Sequence, residues 1–399
     1  MSNSLEGISS RSLPIGDLDL YFLEAKPRSS AGNAPLVLLL HGYPELAYTW
    51  RKVMVPLANA GYHVVAPDQR GYGRTTVRGP NGVQARPIQY EDDLRPFRFL
   101  NLVKDIVALV YALGYTSVAM IVGHDAGSRV AGFCALVRPD LFKSYVCSSA
   151  PFTGAPFLPF NIDHSPSASH PHDITLLAPQ IDDALSALSP PRKHYVTYHT
   201  KPEANQDIHH PLQGLHAYLR SYFHMKSADW EGNKVAHPLP ARTAEALAIM
   251  PEYYIMPLSA TMPEVVAKEA PSADVVSSVS SRWLPDSDLA YYVSEFSRTG
   301  FQGGLNWYRV IRSPEFNEEL TVFAGKKIEV PSMYLSGKQD WGVYQNPGAI
   351  DKMRMDVCAR MDDEDFVLVD GAGHWVQQER PEEVTQHLLR FLQKTNAKR

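Results

Sequence analysis

Residues 121–132 read Ile-Val-Gly-His-Asp-Ala-Gly-Ser-Arg-Val-Ala-Gly: an apolar run, a turn between Gly123 and Gly127, then small residues suited to a packed helix. Asp125 stands at the apex. Glycines permit a strained strand-to-helix corner that leaves the apex side chain exposed above a sheet. Such a corner commonly carries a serine nucleophile, and here it carries an acid. Asp125 reads either as a nucleophile or as the side-chain cap of the helix that follows. Two other stretches bear on the choice. His374 lies in the Gly-rich loop of "VDGAGHW", and Asp340 follows an apolar run in "YLSGKQDWG". A nucleophile, then an acid, then a histidine, each just beyond a strand, is an order in which the histidine serves as base and the second acid orients it. In "LLLHGYPE" the loop His41-Gly42-Tyr43-Pro44 ends a further apolar run. Its Tyr43 N–H, with that of Ala126, can form a two-donor site for a developing oxyanion.

For these groups to meet, the apolar runs before them must lie side by side. The runs at 35–40, 62–67, 117–122, 144–150, 330–336 and 365–371 are continuous rather than alternating, which indicates strands covered by helices on both faces. Helical patterns fall at 50–60, at 99–115 with Gly114 as a stop, and at 381–394 with Pro in the first turn. The fold class expected is α/β, with a mostly parallel, doubly wound sheet. Residues 13–25 alternate and suit an edge hairpin. Between 151 and 319 the pattern lapses into Pro, His, Tyr and helical fragments with no clear strand. Because the sheet pattern resumes at Val330, this insert leaves the sheet and returns, as a mainly helical lid over the edge where open α/β sheets bind ligands. The division expected is a core in two parts, 1–151 and 321–399, with a cap at 152–320.

Composition narrows the partners. A formal charge of −5 over 399 residues, with no basic run, argues against nucleic acid and anionic membrane surfaces. No stretch approaches the ~20 apolar residues of a membrane helix, and the N-terminus lacks a secretory pattern. A soluble, cytoplasmic monomer or homodimer is expected. Cys134, Cys147 and Cys358 have no metal-like spacing and read as small core residues. The histidines within 161–173 read as part of a flexible loop rather than a metal site. No metal or organic cofactor is called for.

With "PDQRGYG" and "DLAYYVSEFSRTGFQGGLNWYR" added to the motifs above, nearly the whole chain resembles the epoxide hydrolases of the α/β-hydrolase fold. The resemblance implies two cap tyrosines that hydrogen-bond the epoxide oxygen. One lies in the Asn-Trp-Tyr-Arg element and is Tyr308; the other stands seven positions before a proline in "YVTYHTKPE" and is Tyr195, with Tyr198 as the alternative. The activity implied is hydrolysis of a small-molecule epoxide by water to a vicinal diol. An Asp of pKa near ~4 is already ionised at neutral pH, so it attacks saturated carbon without first losing a proton, which a serine cannot do. Asp125 would form an ester while Tyr195 and Tyr308 donate to the departing oxygen. His374, oriented by Asp340, would then activate water, and the N–H groups of Tyr43 and Ala126 would receive the oxyanion. His41, Pro44, Trp50, His124, Trp307 and Trp375 are expected to line the pocket.

Two departures from the family pattern stand out. The residue after the nucleophile is often Trp, and here it is Ala126. Haloalkane dehalogenases share the acid corner but hold the leaving halide with indole N–H donors, so Ala126 weakens that alternative and leaves Trp307 and Trp50 as its candidates. Lactone or carbon–carbon hydrolysis by direct water attack remains a further alternative, as does a non-catalytic small-molecule receptor, although such modules typically lose the nucleophile or the histidine. The second departure is a long segment, 228–286, in which 243–250 and 263–270 read as short amphipathic helices with core-facing apolar sides. Together, a longer cap and a small Ala126 lead to the expectation of a roomy pocket for a bulky epoxide.

Overall fold

The short apolar and alternating runs of the sequence pair, with one further hairpin, into a ten-stranded sheet. In the computed structural model, which describes residues 5–28, 34–79, 82–84, 86–158 and 179–397, the strands are β1 (Ser9–Ile15), β2 (Leu18–Ala25), β3 (Leu36–Leu40), β4 (His63–Pro67), β5 (Thr76–Gly79), β6 (Gly82–Gln84), β7 (Met120–His124), β8 (Tyr145–Ser148), β9 (Arg192–His194), β10 (Ile255–Pro257), β11 (Ser332–Gly337) and β12 (Phe366–Val369). The histidine-bearing stretch 161–173 lies outside the described residues. The large sheet runs β12-β11-β8-β7-β3-β4-β2-β5-β6, with β1 paired to β2. From β12 to β4 every pairing is parallel; β1, β2, β5 and β6 form the antiparallel end.

Burial on both faces explains the uninterrupted apolar runs. All of β3 is buried. Its Leu36, Leu38 and Leu40 pack with α2 (Phe99–Ala112) and α3 (Ala126–Val137), while Val37 and Leu39 join the layer under α1 (Arg51–Asn59) and the C-terminal helix Pro381–Ala397. Strand period two sends alternate side chains to opposite layers, each buried aliphatic contributing roughly 1.5–3 kcal/mol. Gly114, at φ 83°, follows α2 as the stop its sequence position implies.

Two features depart from the sequence reading. The segment between β8 and β11 contains strands after all, since β9 and β10 pair antiparallel. At three residues each, one of them Arg-Lys-His and the other ending in Pro, they are too short and too polar to alternate legibly. The hairpin β5–β6 is likewise unread from the sequence, and it extends the sheet beyond the expected first hairpin. Of the two patterns in 228–286, the helices are Ala244–Leu247 and Met262–Lys268; Leu247, Met262, Val265 and Val266 are buried in the core cluster. The second is closed by a capping box between Thr261 and Glu264.

Candidate active site

The parallel strands end together, and the chemistry-bearing residues follow them. Asp125 comes directly after β7 with φ 51°, a conformation an L-residue adopts only under constraint. Close packing supplies that constraint. A Cβ on Gly123 would meet Gly127 O at 2.3 Å, one on Gly127 would meet His41 O at 2.3 Å, and one on Gly42 would meet Asp125 Cβ at 2.4 Å. All three positions therefore require glycine. The helix-cap reading of Asp125 fails, because its carboxylate caps no N–H of α3. Instead Oδ1 accepts the Tyr43 N–H at 3.0 Å. Ala126 is the first residue of α3 and lines the same cavity as Asp125.

His374 Nε2 stands 3.7 Å from Asp125 Oδ2 and has no hydrogen-bond partner among the described residues. On its other side Nδ1 lies 3.1 Å from Asp340 Oδ2 and 3.0 Å from Ser149 Oγ. The Ser149 hydroxyl donates to Asp340 Oδ2 at 2.6 Å, so its oxygen is left to accept, and Nδ1 carries the proton. The lone pair of Nε2 then faces Asp125. Burial opposes ionisation of Asp340, but the charge and hydrogen bond of His374, with Ser149, bring its carboxyl down to about 2. Burial, then the Lys226 ammonium, lower His374 below the ordinary imidazole range. That ammonium lies 5.0 Å from the Tyr254 ring and 5.6 to 5.8 Å from those of Tyr222, Tyr253 and Trp375.

Opposite Asp125 are the two cap tyrosines. Tyr195 opens the helix Tyr195–His199, and Tyr308 lies on the helix Gln302–Arg312. Their rings meet edge to face at 5.9 Å, and both line the cavity over Asp125. Burial raises both phenols far above their usual pKa, so they remain proton donors. The second helix approaches closely because Gly303 abuts Gly71, where a Cβ would come within 1.9 Å of the carbonyl oxygen. Tyr198 points elsewhere and donates to Asp207 at 3.0 Å.

The expected pocket lining is corrected. None of His41, Pro44, Trp50, His124, Trp307 and Trp375 lines the cavity, which is bounded by Asp125, Ala126, Phe152, Tyr195, Tyr308 and neighbours. Trp50 packs in the layer beneath α1. The Trp307 indole donates to Arg70 O at 3.1 Å and that of Trp375 to Phe223 O at 2.8 Å. His41 accepts the Gln69 N–H at 3.1 Å. His124 bridges Glu45, at 2.6 Å, to His374 O, at 2.7 Å. Pro44 is buried beside Tyr43. These are supports for the loops rather than walls. The cavity is also small, about 100 Å³, against ~300–1,000 Å³ for typical ligand sites, which overturns the expectation of a roomy pocket. The long cap segment buries its apolar faces in the core instead of widening the cavity.

Sequence reasoning missed Ser149, Lys226, Glu45 and Glu379. Glu45 sits within the His-Gly-Tyr-Pro-Glu motif, and Glu379 five residues after His374, so both had a positional signal; Ser149 and Lys226 had none.

Comparison with known proteins agrees with this geometry. Residues 35–180 match the family model described as alpha/beta hydrolase fold. The chain is 33% identical to Epoxide hydrolase A of Mycobacterium tuberculosis over 368 residues, covering 90% of this chain and 91% of that one. It is 29% identical to an epoxide hydrolase of Caballeronia sordidicola, covering 92% and 90%. Among solved structures, an epoxide hydrolase from an endophytic Streptomyces superposes with a TM-score of 0.70 at 27% identity, covering 98% of this chain and 97% of that one. Potato epoxide hydrolase I superposes with a TM-score of 0.64 at 27% identity, covering 97% and 99%. An acid at the strained corner, a histidine–acid pair behind it and a relative 33% identical along nine-tenths of the chain lead to one conclusion: this chain belongs to the epoxide hydrolase family of the α/β-hydrolase fold.

Proposed function

We propose that the protein converts a small epoxide and water to a vicinal diol through an ester on Asp125, with the helical cap at 152–320 closing over the two-part core at 1–151 and 321–399. Asp125 Oδ2 attacks a ring carbon, the carbon–oxygen bond breaks, and the alkoxide takes a proton from the Tyr195–Tyr308 pair. Oδ1, already held by the Tyr43 N–H, is left as the ester carbonyl oxygen. His374 Nε2 then removes a proton from water, which adds to the carbonyl carbon. The resulting oxyanion grows at the Tyr43 and Ala126 N–H groups, and Asp340 offsets the imidazolium charge. Collapse expels the diol oxygen, which takes the proton from His374. The proton left on the Asp125 carboxyl passes back to the Tyr195–Tyr308 pair, so carboxylate, phenols and imidazole regain their starting states. No metal or organic cofactor enters these steps.

One observation carries the reading: two protonated phenols and a carboxylate face one another across a single cavity, with an unpartnered imidazole nitrogen behind the carboxylate. A dehalogenase would need an indole N–H at the cavity; Trp307 gives its to a backbone carbonyl, and Trp50, the other candidate, packs in the layer beneath α1 and does not line the cavity. The cavity volume of about 100 Å³ favours a compact epoxide. We further read the protein as cytoplasmic, which the buried and unpaired Cys134, Cys147 and Cys358 support, and as a monomer or homodimer, which sedimentation would distinguish. Among the described residues no helix is long and apolar enough to cross a membrane.

The test is mass spectrometry of His374→Gln mixed with small epoxides and haloalkanes. The expected result is a mass increase equal to the epoxide on the peptide containing Asp125, with no halide released from the haloalkanes. An adduct on another residue, or none with any epoxide, would overturn the assignment.

A further inference from the structure

The loop bearing His374 is held by a carboxylate that belongs to no part of the triad. Glu379 Oε2 accepts the Gly373 N–H at 3.0 Å, and Oε1 accepts the Trp375 N–H at 3.0 Å. These are the two residues flanking His374. Oε2 also accepts the Ala228 N–H at 2.8 Å, just past the end of the cap helix Leu215–Lys226. Around this junction the backbones nearly touch. A Cβ on Gly373 would lie 2.5 Å from Ser227 C and 2.6 Å from both Ala228 N and Lys226 O. The His374 N–H donates across the same seam to Lys226 O at 2.8 Å, and the Trp375 indole to Phe223 O. All three donors on Glu379 are backbone amides, so it acts purely as an acceptor with both oxygens engaged.

On the reaction proposed above, we infer that Glu379 is a positioning residue for the hydrolytic half of the cycle: it fixes the height and orientation of His374 and ties that loop to the cap. The requirement is chemical as well as geometric. A glutamine would turn an NH2 toward one of the three N–H donors, replacing attraction with repulsion. An alanine would leave all three amides without their acceptor. Attack by Asp125 does not use His374, whereas water activation depends on where Nε2 sits, and a displacement of 1 Å at a reacting group costs on the order of 10²-fold. Burial also holds the Glu379 carboxyl up at about 7, against the pull of its three donors. A cleft of about 810 Å³ between core and cap, which Glu379 lines with Lys52, Asp229, Arg282 and Arg380, brings solvent to it.

The experiment is single-turnover kinetics at pH 8 with styrene oxide on the full chain, comparing wild type, Glu379→Gln and Glu379→Ala. Ester formation on Asp125 is expected to stay within about twofold of wild type, while ester hydrolysis slows at least about tenfold, so that the alkyl-enzyme accumulates. Added formate should restore hydrolysis in the alanine variant, entering through the cleft. Equal slowing of both steps, or hydrolysis at the wild-type rate, would overturn the role. If neither variant folds, Glu379→Asp gives the same reading, since its shorter arm cannot span all three donors; an unchanged hydrolysis rate there rejects the proposal. Failure of His374→Gln to trap an ester would instead reject the reaction on which this rests.

Discussion

Nε2 of His374 and Oδ2 of Asp125 stand 3.7 Å apart, too far for a hydrogen bond. The base therefore does not prepare the nucleophile. In the proposed reaction it is held back for the second step, and the two half-reactions are expected to be separable by substitution.

Asp340→Asn tests the orienting role. Its amide can present an NH2 to Nδ1, which favours the tautomer with the proton on Nε2 and removes the base. Ester hydrolysis should fall roughly 10³- to 10⁴-fold while ester formation is largely kept. Rapid quench with mass detection of the alkylated peptide would report both rates. A parallel loss in ester formation would contradict the separation.

Tyr195→Phe and Tyr308→Phe address the first step. Each should slow ring opening by roughly 10²-fold, and the double variant by more than either, because one phenol partly covers for the other. Both rings are packed and both residues line the cavity, so the fold should survive, as circular dichroism can check. Tyr198→Phe serves as the control: its hydroxyl is committed to Asp207, and turnover should be unchanged.

The pH dependence of ester hydrolysis follows from the surroundings of His374. The neutral imidazole is the active form, so hydrolysis is lost as pH falls through its pKa. Burial and Lys226 lower that pKa, which extends activity toward acid. Lys226→Met removes the cation, raises the pKa and should move the acid limb to higher pH. A limb that stays in place, measured by single-turnover hydrolysis across pH, would show that the ammonium does not act on His374.

The core and its reactive corner were legible in the sequence because they rest on local pattern. Apolar runs mark strands, glycines mark the corner at Asp125, and a Gly-rich loop marks His374. The pocket was not legible, for a geometric reason. Trp307 is adjacent to Tyr308 on a helix, where consecutive side chains diverge by about 100°, so its indole reaches Arg70 instead. His124 precedes Asp125 at the end of a strand, where neighbours point oppositely, and it turns toward Glu45. Ser149 and Lys226 were unreadable because their partners lie far away in the chain: the Ser149 hydroxyl meets Asp340, and the Lys226 ammonium meets rings of the cap and Trp375. Tyr195 was found only through resemblance, as nothing local separates it from the chain's other tyrosines.

The narrow space over Asp125 has a dynamic corollary. Tyr195, Val196, Tyr308 and Ile311, all from the inserted segment, form much of its wall. Release of the diol is expected to draw on an outward swing of those helices while the corner under them stays fixed. Turnover in such an enzyme is coupled to the friction of that swing as well as to bond breaking, and solvent viscosity becomes a variable of its rate.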